Sequence, residues 1–192
     1  MQVCRLSATE LACRRGDRVL FAGLSLRVES GGALHVAGAN GVGKSSLIRI
    51  LAGLLRPMAG TVERAGDAGL LDERPALDQH LPLGKALAFW QRLDGPADDR
   101  LAALGLANLL DVPVRYLSTG QKKRAALARL IGQRAPIWLL DEPLNGLDAQ
   151  AVNLVQEMIA SHCQAGGIAV IASHQPITLP DMARLDLIGY AA

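Results

Sequence analysis

Short apolar runs alternate with stretches of helical period along this chain. Val3 to Cys13 predicts a half-buried strand, with Leu6, Ala8 and Leu11 turned inward. Arg14 to Arg18 is a polar turn about Gly16-Asp17. Leu24-Ser25-Leu26-Arg27-Val28 alternates as an edge strand does, and Ser30-Gly31-Gly32 breaks it. Ala33 to Ala37 is a short apolar strand running into a glycine-rich loop. Ser45 to Leu55 predicts a helix with Leu47, Ile50, Leu51 and Leu54 on its buried side, stopped by Pro57 and Gly60. Thr61-Val62-Glu63 and Leu70-Leu71 read as short strands, and Pro75 and Pro82 mark a turn-rich passage.

From Gly84 to Leu110 the period is helical, carried by Ala86, Leu87, Phe89, Trp90 and Leu93, then by Leu101, Leu104 and Leu106. Gly95-Pro96 divides this stretch into two short helices. Thr119 to Gln133 is another helix. Ile137 to Leu140 and Ile168 to Ala172 are wholly apolar, as buried parallel strands are, with a helix from Ala149 to Gln164 between them. Leu185 to Tyr190 reads as a last strand. The order predicts an α/β domain carrying a small helical insert.

Composition narrows this picture. A chain of 192 residues suits one domain, and its 50% apolar content is aliphatic because aromatics are only 3%. The 20 glycines follow no repeat, which points to tight turns and close backbone approach to a ligand. A net charge of +2 is too small to imply a nucleic-acid partner. The densest basic run, Lys122-Lys123-Arg124, reads as a solvated helix start unless a phosphate lies near it. Cys4, Cys13 and Cys163 form no metal or redox spacing, so reduced thiols in a cytosolic setting are expected. Arg5, Glu10 and Arg14 interrupt any signal peptide, and no run of 18 apolar residues occurs, so the expectation is a chain that does not span a membrane. Attachment through a partner stays open.

The chemistry is carried by two segments. Gly38-Ala39-Asn40-Gly41-Val42-Gly43-Lys44-Ser45 fills the pattern G-x-x-x-x-G-K-[ST] between a strand and a helix. Backbone N–H groups turned inward there cradle phosphate oxygens, and the following helix aims its N-terminus at the same charge. Lys44 reaches the β- and γ-phosphates of ATP, Ser45 ligates Mg²⁺, and Ser46 completes the nucleotide contacts. Ile137-Trp138-Leu139-Leu140-Asp141-Glu142 is an apolar strand ending in two carboxylates. Asp141 is placed to hold Mg²⁺ through water, and Glu142 to orient and polarise the attacking water.

Three further segments identify a family. Leu117-Ser118-Thr119-Gly120-Gln121 resembles the signature of the ABC ATPases, Asn145-Gly146-Leu147-Asp148 resembles their D-loop, and His174 stands after an apolar strand as their switch histidine does. The resemblance implies a P-loop NTPase of the ABC ATPase type. It would be a single nucleotide-binding domain over residues 1–192, with an antiparallel β subdomain and a helical insert at about 84–134. It also implies a head-to-tail ATPase dimer, in which Ser118, Gly120 and Gln121 of one subunit face the nucleotide on the P-loop of the other. His174 would hold the γ-phosphate and the water in register with Glu142. A membrane permease would dock on the insert, where Phe89 and Trp90 either line the dock or pack the insert.

Within that family the chain is similar to the ATP-binding subunits of cytochrome c maturation, the haem exporters. The likeness runs through Cys13 to Phe21, Val112 to Ser118, Gln121 to Leu130, Ala135 to Pro143, Gly166-Gly167 and Ser173-His174-Gln175-Pro176. It implies a peripheral protein on the cytoplasmic face of a bacterial inner membrane, whose ATP hydrolysis drives release of a haem-loaded chaperone or export of haem. An ABC ATPase serving another substrate is the alternative. ABC proteins acting on ribosomes or DNA carry tandem cassettes or a long insertion, which 192 residues do not hold. Three positions depart from the pattern. Thr119 replaces a signature glycine, and Arg74 stands where the Q-loop glutamine is expected, where it would approach phosphate and not ligate Mg²⁺. Arg15 stands where an aromatic residue stacks on adenine, either offering its guanidinium plane or remaining a solvated turn residue.

Overall fold

The computed structural model describes residues 4–94 and 100–191. Two strands open it, β1 (Arg5–Arg15) and β2 (Arg18–Glu29), followed by β3 (Ala33–Ala37) and α1 (Lys44–Leu51). Next come β4 (Ala59–Ala65), β5 (Ala68–Leu71), α2 (Leu83–Asp94), α3 (Arg100–Ala103) and α4 (Thr119–Gly132). Finally β6 (Ile137–Asp141), α5 (Ala149–Gln164), β7 (Ile168–Ala172) and β8 (Ala183–Asp186) complete the order.

The strands form two sheets, an antiparallel one ordered β2-β1-β4 and a parallel one ordered β5-β6-β7-β3-β8. Every residue of β3, β6 and β7 is buried, which is why β7 reads as a continuous apolar run and β3 and β6 do so apart from His35 and Asp141. Leu6, Ala8, Leu11, Phe21 and Leu24 of the antiparallel sheet pack with α1 and one face of the parallel sheet. Val155 and Ile159 of α5, with Leu127 and Leu130 of α4, cover the other face. A third apolar cluster holds the insert together through Leu83, Leu87, Leu104, Leu106 and Val114, with Ala125 of α4. The parallel arrangement carries the C-terminal ends of β3, β6 and β7 to one edge of the sheet, and the two polar segments follow directly from them.

Three local expectations are corrected. Helix α1 ends at Leu51 and the chain reverses at Gly53, φ 78°, so Leu54 lies past the helix and is 68% exposed. The second insert helix is a single turn, Arg100–Ala103, and the expected divide at Gly95-Pro96 lies outside the described residues. Strand β8 stops at Asp186, whose carboxylate accepts from Ile188 N and starts a 3₁₀ turn at Leu187–Tyr190. In α2, Ala86 and Leu87 are buried as the period predicts, whereas Phe89 and Leu93 face outward.

Candidate active site

The phosphate loop leaves β3 at Gly38 and enters α1 at Lys44. Lys44 is buried, and its Nζ donates to the carbonyls of Gly38, at 2.8 Å, and Ala39, at 3.2 Å. It also lies 3.5 Å from Glu142 Oε1. The ammonium thus rests on acceptors that phosphate oxygens can replace. Gly43 packs against Leu20 and Phe21 of β2, which fixes the loop to the antiparallel sheet. Asn40, Gly41 and Ser45 remain exposed at the mouth of the loop, with Gly38 and Val42 half-buried.

Glu142 is buried one residue beyond β6. Its N–H donates to Ala172 O at 2.8 Å, continuing the ladder to β7, while its φ of 47° lies in the left-handed region. A non-glycine residue held there by surrounding structure is typical of strain stored at a functional site. The turn aims the carboxylate at both Lys44 and His174. His174 Nδ1 lies 2.9 Å from Glu142 Oε2, and the carboxylate can only accept, so Nδ1 carries the hydrogen. The histidine side chain is 40% exposed, open to a ligand on its other side.

Asp141 is buried at the end of β6, and its Oδ1 has no hydrogen-bond partner. Burial pushes its carboxyl above the usual range; the Ser45 hydroxyl pulls it down, Glu142 and Glu73 push it up further, and Lys123 pulls it down. A desolvated, unpartnered carboxylate oxygen beside a serine hydroxyl fits a hard divalent cation such as Mg²⁺, which completes its shell from phosphates and water. Arg15 is exposed at the end of β1. Burial pushes the Cys13 thiol up, while Ser46 and Arg15 act on it in the opposite sense.

The signature residues stand apart from this group, at the start of α4. Ser118 caps the helix: its Oγ accepts from Gln121 N at 3.2 Å, and Gln121 Oε1 accepts from Ser118 N at 2.8 Å. The Ser118 hydroxyl hydrogen and the Gln121 amide hydrogens stay uncommitted by that box. A Cβ on Gly120 would meet Gly146 O at 2.7 Å, so only glycine fits there. Thr119 is accommodated because its methyl lies over Gly146, which has no side chain to oppose it.

The basic run at the start of α4 behaves differently from its sequence reading. In Lys122-Lys123-Arg124 successive helix residues point about 100° apart, so one phosphate cannot collect all three. Lys122 donates to Arg115 O at 3.2 Å, and Arg124 lies against Gly105. Lys123 is buried; desolvation pushes its ammonium down, while Asp141, Glu73, Glu142 and Asp72 support its charge. It therefore lies behind the two carboxylates of its own subunit. Its spacing to Leu127 and Leu130, four and seven residues on, was the signal that it shares their buried face. Arg74 lines a groove with Ala52, Leu54 and Leu70. Sequence reasoning also missed Gln175, whose side-chain amide donates to Asn145 Oδ1 at 3.2 Å and ties the His174 loop to the segment after β6.

Comparison with known proteins agrees with this architecture. Residues 21–145 match the ABC transporter family. The chain is 65% identical over 179 residues to the cytochrome c biogenesis ATP-binding export protein CcmA of Novosphingobium aromaticivorans, with 93% of each chain covered. It is 50% identical to the protein of that name from Zymomonas mobilis, over 98% of this chain and 86% of the other. A solved structure from Pyrococcus furiosus, assigned as an ABC transporter ATP-binding protein, superposes with a TM-score of 0.84 at 22% identity, covering 98% of this chain and 100% of that one. At that identity the likeness concerns the fold.

Proposed function

The chain belongs to the ABC transporter family and, within it, to the ATP-binding export proteins of cytochrome c biogenesis, and from that premise we propose how its site works. Its ATP hydrolysis powers an ABC transporter complex in cytochrome c maturation. The observation that carries the site assignment is the contact of Lys44 and His174 with one carboxylate, Glu142, beside the unpartnered oxygen of Asp141.

ATP enters with its phosphates over residues 38–46, and Lys44 exchanges the Gly38 and Ala39 carbonyls for β- and γ-phosphate oxygens. Ser45 and Asp141 would hold Mg²⁺, which when bound would neutralise phosphate charge. Glu142 accepts a proton from the attacking water as that water's oxygen bonds to the γ-phosphorus and the bond to the ADP oxygen breaks. His174 keeps Glu142 and the γ-phosphate in register. Arg15 lies toward the adenine end. Ser118, Gly120 and Gln121 complete the site of a second copy in a head-to-tail dimer, with the α4 N-terminus facing the same phosphate.

The membrane partner docks on the insert. Leu81, Phe89 and Trp90 line an outward groove of about 470 Å³, flanked by Asp78, Lys85 and Arg92. No helix among the described residues is long and apolar enough to cross a membrane. In this reading, attachment at the cytoplasmic face of the inner membrane runs through the permease. Hydrolysis then releases the haem-loaded chaperone. The test is ATP-driven chaperone release from membranes carrying the assembled complex. The wild type should release it and Glu142→Gln should retain it; release at equal rate from both would overturn the coupling.

A further inference from the structure

Strand β3 carries one polar residue among five. His35 is 5% exposed, and its neighbours in the sheet are Ile171 of β7 and Arg184 of β8. Its Nε2 lies 3.2 Å from the carbonyl oxygen of Ser173. A carbonyl only accepts, so Nε2 is the protonated nitrogen and His35 the donor. Ser173 directly precedes His174, and its N–H donates to Val36 O at 3.2 Å. That bond is the last between β3 and the chain leaving β7, because β3 turns away at Gly38. The next carbonyl, that of Ser173, receives the His35 side chain. Beyond it Ser173 Oγ accepts from Gln175 N at 2.9 Å, and the Gln175 side chain reaches Asn145.

We propose that His35 is the positioning residue for His174: from the buried interior of β3 it fixes the Ser173 carbonyl and thereby the direction in which the exposed His174 imidazole leaves the sheet. His174 has little packing of its own to set that direction, its side chain being 40% exposed. Replacing the donor by an apolar group strands a buried carbonyl and frees the peptide between Ser173 and His174 to rotate. The proposal rests on the assignment of His174 to the hydrolytic step.

Strand β3 leads straight into the phosphate loop, so a purely structural role for His35 would disturb that loop and raise the KM for ATP. A positioning role lowers kcat through His174 and leaves KM alone. The experiment measures ATP turnover by the full chain for wild type, His35→Leu, His35→Gln, His174→Ala and the double variant His35→Leu/His174→Ala. Expected are a kcat for His35→Leu reduced roughly 5- to 10-fold with KM unchanged, recovery in His35→Gln, whose amide supplies the donor, and no further loss when His35→Leu is added to His174→Ala. If His35→Leu does not fold, His35→Met takes its place. Slowed turnover in His174→Ala beside wild-type turnover in His35→Leu overturns the proposal alone, as do multiplying effects in the double variant or a loss confined to KM. Wild-type turnover in His174→Ala removes the assignment of His174 and the proposal together.

Discussion

The two ends of the parallel sheet each hold a histidine, and the partners of each separate chemistry from support. At the C-terminal end His174 faces a carboxylate, is partly open to solvent and has Lys44 on the far side of that carboxylate. At the N-terminal end His162 of α5 faces two carbonyls, Pro136 O and Ile168 O, each 3.2 Å from its Nε2. Its ring lies on Trp138 of β6 with centroids 3.9 Å apart and planes 10° from parallel. A Cβ on Gly167 would fall 2.3 Å from that ring, so the turn into β7 requires glycine to admit it. One end collects charges that ligand can redistribute. The other consumes its polar groups in closing the starts of β6 and β7. Alterations at the first end should cost activity and spare the fold, and at the second the reverse.

The largest effect is expected from Lys44→Ala. Removing the cation that the loop holds should abolish ATP binding and hydrolysis together, with thermal unfolding little changed; nucleotide titration and turnover check it, and wild-type values for both would break the division. Glu142→Gln comes next. Hydrolysis should fall roughly 10²-fold or more, within the range for loss of a general base, while ATP binding persists and the ATP-bound dimer outlives that of the wild type on a sizing column. Turnover at the wild-type rate would show that Glu142 is not the base.

His162→Ala probes the opposite end. It strands two carbonyls and uncovers Trp138, so denaturant unfolding should show a loss of about 1–3 kcal/mol with kcat and KM for ATP unchanged. The sign of its pH dependence follows from burial, which holds His162 below its ordinary value of 6.5. The unfolded chain then takes up a proton that the folded chain refuses. Stability contributed at this position is present above 6.5 and is lost as pH falls through the lowered value. The wild type should therefore lose stability on acidification faster than His162→Gln, and parallel curves would contradict this.

The smallest effect sharpens the comparison most. Burial raises the Asp141 carboxyl, so its contribution to the ligand-free fold is present at low pH and lost as pH rises through the raised value. At neutral pH Asp141→Asn should raise the unfolding midpoint of the ligand-free chain by a few degrees, while Mg²⁺-dependent ATP binding weakens. A lowered midpoint would mean that the carboxylate supports the fold and does not wait for a cation.

The phosphate loop, the paired carboxylates and the signature segment were legible because each is a contiguous segment whose local geometry repeats wherever the residues do. The apolar strands and α5 were legible because a buried parallel strand and an amphipathic helix have different periods. The insert was legible as helical but not in its detail. Phe89 and Leu93 continue the apolar pattern of α2 and yet face outward, since α4 covers only one side of that helix.

By itself the sequence determined the nucleotide chemistry, the order of the motifs and the alternation of strands and helices, all of which depend on residues a few positions apart. Only the tertiary structure decided that Lys123 lies buried behind Asp141, that Arg74 shares a groove with Ala52 and Leu54, and that His35 meets Ser173 across 138 positions of chain. These placements depend on which strand lies beside which. That order follows from how several apolar faces share one core, a sum over distant pairs that no local pattern records.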